Sequence, residues 1–425
     1  MITRIINLLK SDKGVSDYRI NILKRESYEL FFVHKDLETV RSTDTTDIKV
    51  TVFVENGDKL GDATFSVYSS YTDEMIAKEI ESAKKKAALA GNKPYALPEN
   101  ETGIWESESN FKGYSAPELA AMVADAAFKA DSYEGGSINA LEIFIYKDTV
   151  TVKNSRNIDK TETQYSAMVE AIPTWNGEKE SVELYECYNF TEFDAAAVTA
   201  EIDGKMREVR DRLVAIKPES KLNCRVVLTA SELGHLFGNL ASNLNYSSVY
   251  NHVNAFSKGD DVQKSPVGDK LTVTMKGRMS GSVSSCAFDA SGVTTRDAEV
   301  IKDGKAVGYY GPVRFASYLG EEPTGNIRCI KAECGTLTDK ELSSAPYFKC
   351  VSMSGLQLDI YNDYIGGEVR LAYYFDGEKE IPVTGISISG KLSDALSNMR
   401  LSNEETTYES YKGPKYAVFE NIEIV

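Results

Sequence analysis

Histidine is nearly absent from this chain. Its 425 residues include only three, His34, His235 and His252. A zinc centre built on three imidazoles would have to use them all, and a hydrolase with a histidine base has the same three to choose from. Cysteine is sparse as well. Cys187, Cys224, Cys286, Cys329, Cys334 and Cys350 form no Cys-x-x-Cys pair, so they are expected as buried thiols rather than as a disulfide framework or a zinc knuckle. Basic runs are short. The formal charge is −16 and the longest Lys/Arg run is Lys84-Lys85-Lys86, which argues against a general binder of phosphate backbones; no nucleic-acid partner is expected. No apolar run is long enough to span a bilayer. The apolar part of Met1–Lys10 is too short for a signal sequence and reads as a short amphipathic helix. The expected location is the cytoplasm, with no membrane partner. Phosphate-binding loops and a Gly-x-Ser-x-Gly elbow are missing too: neither Gly281-Ser-Val-Ser-Ser285 nor Met353-Ser354-Gly355 fits.

What remains is enough for large cores, since 42% of the residues are hydrophobic. The length suggests two or three domains. Alternating segments predict strands at Tyr18–Val33, Ile48–Val54 and Ala63–Tyr68. Further strands are expected at Ala140–Tyr146, Thr149–Asn154, Gln164–Pro173 and Ser181–Phe190. Helices are predicted from Thr72 to about Ala90, from Ser115 to about Ala130, and from Asp194 to Ala215. Ser115 stands at a natural N-cap, with Glu118 placed to complete a capping box. Residues 91–113 read as a long connection. Lys217-Pro218-Glu219-Ser220 reads as a hinge, giving an N-terminal mixed α/β domain, 1–216, and a β-rich C-terminal domain, 217–425. The fold class is therefore α+β.

The second half opens with a strand, Cys224–Leu228, and then Thr229-Ala230-Ser231-Glu232-Leu233-Gly234-His235. This segment reads as a zinc-peptidase helix that has lost its first ligand. Such a helix needs imidazoles and a carboxylate to hold the metal and activate water. Here Ala230 and Ser231 stand at the partner positions, and His235 remains. On a regular helix, residues five apart lie about 140° apart, so even an intact His-to-His spacing of five needs a helix end or a distortion. Leu233, Phe237, Leu240 and Leu244 share an apolar face, with Ser231, His235, Asn239 and Ser242 opposite. Glu232 fits a capping box with Thr229 better than a catalytic base, and His235 fits a surface histidine better than a ligand. Thr324-Gly325-Asn326 reads as a turn, or as backbone N–H groups for a peptide carbonyl. Tyr246 and Tyr250, with Tyr309, Tyr310, Tyr361, Tyr364, Tyr373 and Tyr374, are core residues or the lining of a peptide groove.

Several elements in order resemble the TldD/PmbA family, whose members are named modulators of DNA gyrase and peptidases. They are Arg225–Leu228 leading to Gly234-His235, Phe288-Asp289-Ala290-Ser291-Gly292-Val293-Thr294-Thr295, and Asp303-Gly304-Lys305 with Tyr309. Pro323-Thr324-Gly325-Asn326, Asp376-Gly377-Glu378 with Ile381-Pro382-Val383, and Ile386–Asp394 complete the set. The resemblance implies one of two branches. TldD-type chains carry His-Glu-x-x-x-His and a C-terminal cysteine ligand. PmbA-type (TldE) chains lack these ligands and form the non-catalytic half of a dimer. Ala230, Ser231 and the absence of any cysteine after Cys350 are similar to the second branch. Ser291 and Pro323 depart from the family's Glu and Ser. The implied role is a metal-free subunit that binds unfolded peptide, as a homodimer or with a TldD-type catalytic chain, without a cofactor. The alternatives are an active metallopeptidase using His235 with His252 or Glu232, which would need zinc, and a stand-alone peptide-binding protein.

Overall fold

The computed structural model describes residues 1–425. A ten-residue helix α1 (Ile2–Ser11) precedes a long hairpin, β1 (Asp17–Val33) and β2 (Asp36–Asn56), followed by β3 (Lys59–Val67) and α2 (Asp73–Leu89). Then come β4 (Thr102–Glu106), α3 (Ala116–Phe128), β5 (Gly136–Asn154), β6 (Asp159–Asn176), β7 (Ser181–Glu183), β8 (Glu186–Phe190) and α4 (Ala195–Val214). The strands form one eight-stranded sheet in the order β3-β2-β1-β5-β6-β4, with β7 and β8 also on β6. Helices α3 and α4 cover one face of the sheet through Leu119, Val123, Val198, Ile202 and Met206, which pack on Ile143, Ala167 and Val169. Helices α1 and α2 cover the other end through Ile5, Leu9, Ile76 and Ile80.

The caps form for the reason their sequences suggest: a side-chain oxygen replaces a missing intrahelical acceptor. Thr72 accepts from the Met75 N–H at 3.3 Å, and Asp194 accepts from Ala196 and Ala197. Ser115 accepts from the Glu118 N–H, which is half of the expected capping box. The full box occurs at Thr338 and Glu341.

Several boundaries differ from expectation. The segments 140–146 and 149–154 are a single strand, β5. The apparent turn at Lys147-Asp148 is a polar stretch whose Asp148 is paired with Arg25 across the sheet at 2.6 Å. β2 begins at Asp36 because its first twelve residues pair with β1 while lying open to solvent, so they carry no alternation to read. The connection 91–113 holds β4, an edge strand parallel to β6 with Ile104 exposed, and a turn of 3₁₀ helix at Asn110–Gly113. Residues 181–190 split into β7 and β8.

From Arg225 onward the chain builds two further sheets, of nine and six strands. β9 (Arg225–Thr229) lies inside the larger one, parallel to Tyr347–Met353 and antiparallel to Tyr416–Phe419. Val226, Val227 and Leu228 are fully buried, as the unbroken apolar run of a strand covered on both faces requires. Helix α5 (Ala230–Ser242) follows directly and drives Leu233, Leu236, Phe237 and Leu240 into the largest core. Gly234 and Gly238 let it come close. A Cβ at Gly234 would lie 3.0 Å from Tyr411 Cβ, and one at Gly238 3.0 Å from Ile330 Cδ1. None of the helices is long and apolar enough to cross a membrane.

Candidate functional site

A cleft of about 1000 Å³ lies between α4 and β8 on one side and the first turn of α5 on the other. Glu201, Lys205 and Glu208 reach it from one face of α4, as their spacing of four and three residues dictates. Thr229, Ala230, Ser231 and Glu232 form the opposite wall. Tyr185, Tyr373, Tyr408 and Tyr416 supply aromatic surface, and Lys349 and Met353 come from the strand beside β9.

The polar groups of the wall are largely engaged. Lys205 sits between Glu186 at 2.9 Å and Glu208 at 2.7 Å. Burial works against its charge, but the two carboxylates outweigh burial and hold it firmly cationic. Asp211 accepts from the Tyr373 hydroxyl at 2.7 Å, which ties α4 to the C-terminal sheet. Glu232 is buried and accepts the Thr229 hydroxyl at 2.7 Å. Burial pushes its carboxyl above the usual carboxylate range, against hydrogen bonds from Thr229 and from the backbone that pull it down. The capping arrangement is thus one-sided: Glu232 reaches back to Thr229, but the Thr229 oxygen accepts no backbone N–H of the helix.

The donors for a zinc ion do not assemble here. Ala230 has no ligating atom, and His235 is exposed and lies outside the cleft lining. His34 sits in the β1–β2 turn and His252 follows the short helix Tyr246–Tyr250, both exposed. Cys350, the last cysteine, is fully buried on the strand beside β9, where burial raises its thiol well above the ordinary value. No three His, Cys, Asp or Glu side chains in the molecule converge closely enough to hold a metal ion. The residues present do not fit a zinc centre.

Of the other sequence candidates, Tyr373 lines the cleft, whereas Thr324, Gly325, Asn326, Tyr246 and Tyr250 lie outside it. Thr324 is buried, and its hydroxyl accepts from the Gly311 N–H at 2.9 Å. Gly325 takes φ +80° and the Asn326 N–H donates to Asp289 at 3.0 Å. Tyr246 is buried, with its hydroxyl on the Glu322 carbonyl, so the structure does bring Tyr246 to the 323–326 turn. Tyr250 packs against Phe315 and Tyr318.

The Phe288–Thr295 element joins the C-terminal half of the chain to the N-terminal sheet. Asp289 folds it by accepting from the N–H groups of Ser291 and Val293. Lys160 of β6, fully buried, donates to the Gly292 carbonyl at 2.7 Å and the Thr294 hydroxyl at 2.8 Å, and pairs with Glu101. Glu162 accepts the Ala287 N–H, Asn21 donates to the Ala290 carbonyl, and Phe288 packs on Trp105, Val152 and Ile158. The sequence reading missed the cleft residues of α4, because their partners are brought together only by the fold. A glutamate–lysine–glutamate face on a helix reads otherwise as a solvated surface.

Residues 221–425 match the family model of the PmbA/TldA metallopeptidase C-terminal domain. The C-terminal part of the chain is thus a domain of the PmbA/TldD type. The fold of the chain is similar over its whole length to solved structures. TldE from Thermococcus kodakarensis aligns with a TM-score of 0.79 at 15% identity, over 99% of this chain and 100% of that one. A protein from Thermotoga maritima described as a candidate modulator of a DNA gyrase aligns at 0.73 and 16%, over 100% and 99%. A protein of the same description from Bacteroides thetaiotaomicron aligns at 0.79 and 13%, over 100% and 97%. No curated protein matches the chain in sequence.

Proposed function

We propose that this chain is a PmbA/TldE-like, metal-free and non-catalytic subunit that binds unfolded peptide in the cleft between α4 and α5. It would act for a TldD-type peptidase partner, or as a homodimer that binds without cutting. The observation that carries this reading is the first turn of α5. It forms a wall of this cleft, yet it presents Ala230 and Ser231 where a family peptidase would present its metal ligand and base. A cleft of about 1000 Å³ walled by tyrosines and charged groups suits an extended segment. With Ala230 and Ser231 at the ligand and base positions and no histidine in the lining, the wall supplies no donor set to hold a metal and activate a water.

The test pairs binding with turnover. The purified chain should bind an unstructured peptide and leave it intact, and cleavage should appear only when a TldD-type chain with an intact His-Glu-x-x-x-His is added. Chelator-sensitive cleavage by the chain alone, abolished in His235→Ala, would replace this reading with that of an unconventional metallopeptidase.

A further inference from the structure

The main cleft has a side pocket. A second cavity of about 230 Å³ shares Cys187, Glu201, Tyr408 and Glu409 with it and extends along β8 to Tyr188, Phe190 and Glu192. Its lining contains three carboxylates and no cation. Its walls are aromatic: Tyr188 and Phe190 stack with centroids 5.2 Å apart, and Tyr408 closes the side towards the main cleft.

Charge compensation in the main cleft stops short of this pocket. Seven carboxylates and four cations line the larger space. Lys205 is consumed by Glu186 and Glu208, Arg207 by Asp203, and Lys415 by Glu404. Lys349 acts on Glu208. Glu201, one turn before Lys205 on α4, forms no hydrogen bond, and burial together with the neighbouring Glu186 pushes its carboxyl upward against the pull of Lys205. Glu409, at the tip of the turn before Tyr411 with φ +49°, faces the same space from the other domain.

We propose that this side pocket takes the lysine or arginine side chain of a bound peptide, its stem against Tyr188 and Phe190 and its cationic head between Glu201 and Glu409. Long cationic side chains bury their methylenes on apolar surface while the head finds charge, and aromatic faces add to the attraction. A carboxylate left partly buried without a donor gains most from such a partner. The inference rests on the peptide-binding reading and adds a substrate class to it: unfolded segments carrying a basic residue.

The experiment uses the full chain and three fluorescent, unstructured peptides of equal length that differ only at one central residue, arginine, glutamine or glutamate. The arginine peptide should bind about tenfold more tightly than the glutamine one, with the glutamate one weakest, and the preference should shrink with added salt. Glu201→Gln should bring the arginine-over-glutamine preference close to unity. Glu409→Gln serves as a second variant on the other domain, in case the first disturbs α4. Equal affinities for all three peptides would overturn the side-pocket assignment and leave peptide binding standing. No binding of any peptide would overturn both.

Discussion

Two segments of the C-terminal domain carry the family pattern, and the structure uses them in opposite ways. The 288–295 element folds on Asp289 and locks into the N-terminal sheet through Lys160, Glu162 and Phe288. The first turn of α5 borders the cleft and has the residues of a cap where a peptidase would carry ligands. The joint is held from within by Asp289 and from the N-terminal sheet by Lys160, Glu162 and Asn21, and its one departure, Ser291, still meets Arg19 at 3.4 Å. In the helix, Gly234 lies close against Tyr411, whereas His235 is solvent-exposed. Recognisable sequence and functional chemistry are therefore separate properties in this chain.

The largest expected effect lies in the joint. Lys160→Met removes a fully buried ammonium with three partners and should cost about 4 kcal/mol in denaturant unfolding. Lys160 holds Glu101 below the usual carboxylate range. That part of the stability is present at neutral pH and disappears as acid protonates Glu101, so the difference between variant and parent should narrow at low pH. Next comes the buried face of α5: Leu233→Ala should cost about 3 kcal/mol by leaving a void in the main core. The cleft face should respond in the opposite direction. Burial raises Glu232, so its charge opposes folding once the pH exceeds the unfolded value of about 4.3. Glu232→Gln keeps an oxygen for Thr229 and should stabilise the chain by about 1 kcal/mol at pH 8, with the gain vanishing near pH 4. Smallest of all, His235→Ala should change thermal stability by less than about 0.5 kcal/mol, as expected of an exposed side chain. A large loss there would give His235 a role that the packing does not.

How far the sequence could be read follows from where the signals come from. The apolar face of α5, the cap at Ser115 and the strand β9 are local patterns, and each appears as expected. The open half of β2 and the edge strand β4 escaped because exposed strands held only by backbone pairing leave no alternation. The continuous β5 escaped because Asp148 finds Arg25 on a strand more than a hundred residues away. The side pocket was hidden for the same reason: Glu192, Glu201 and Glu409 come from three segments that only the tertiary fold unites.

The claim that the first turn of α5 is a cleft wall rather than a metal centre is tested most directly by metal content. The full chain should be incubated with excess zinc, desalted and analysed for elemental zinc, beside His235→Ala treated in the same way. Only trace zinc in both proteins is the predicted result. One zinc retained per chain in the parent and lost from the variant would contradict the account.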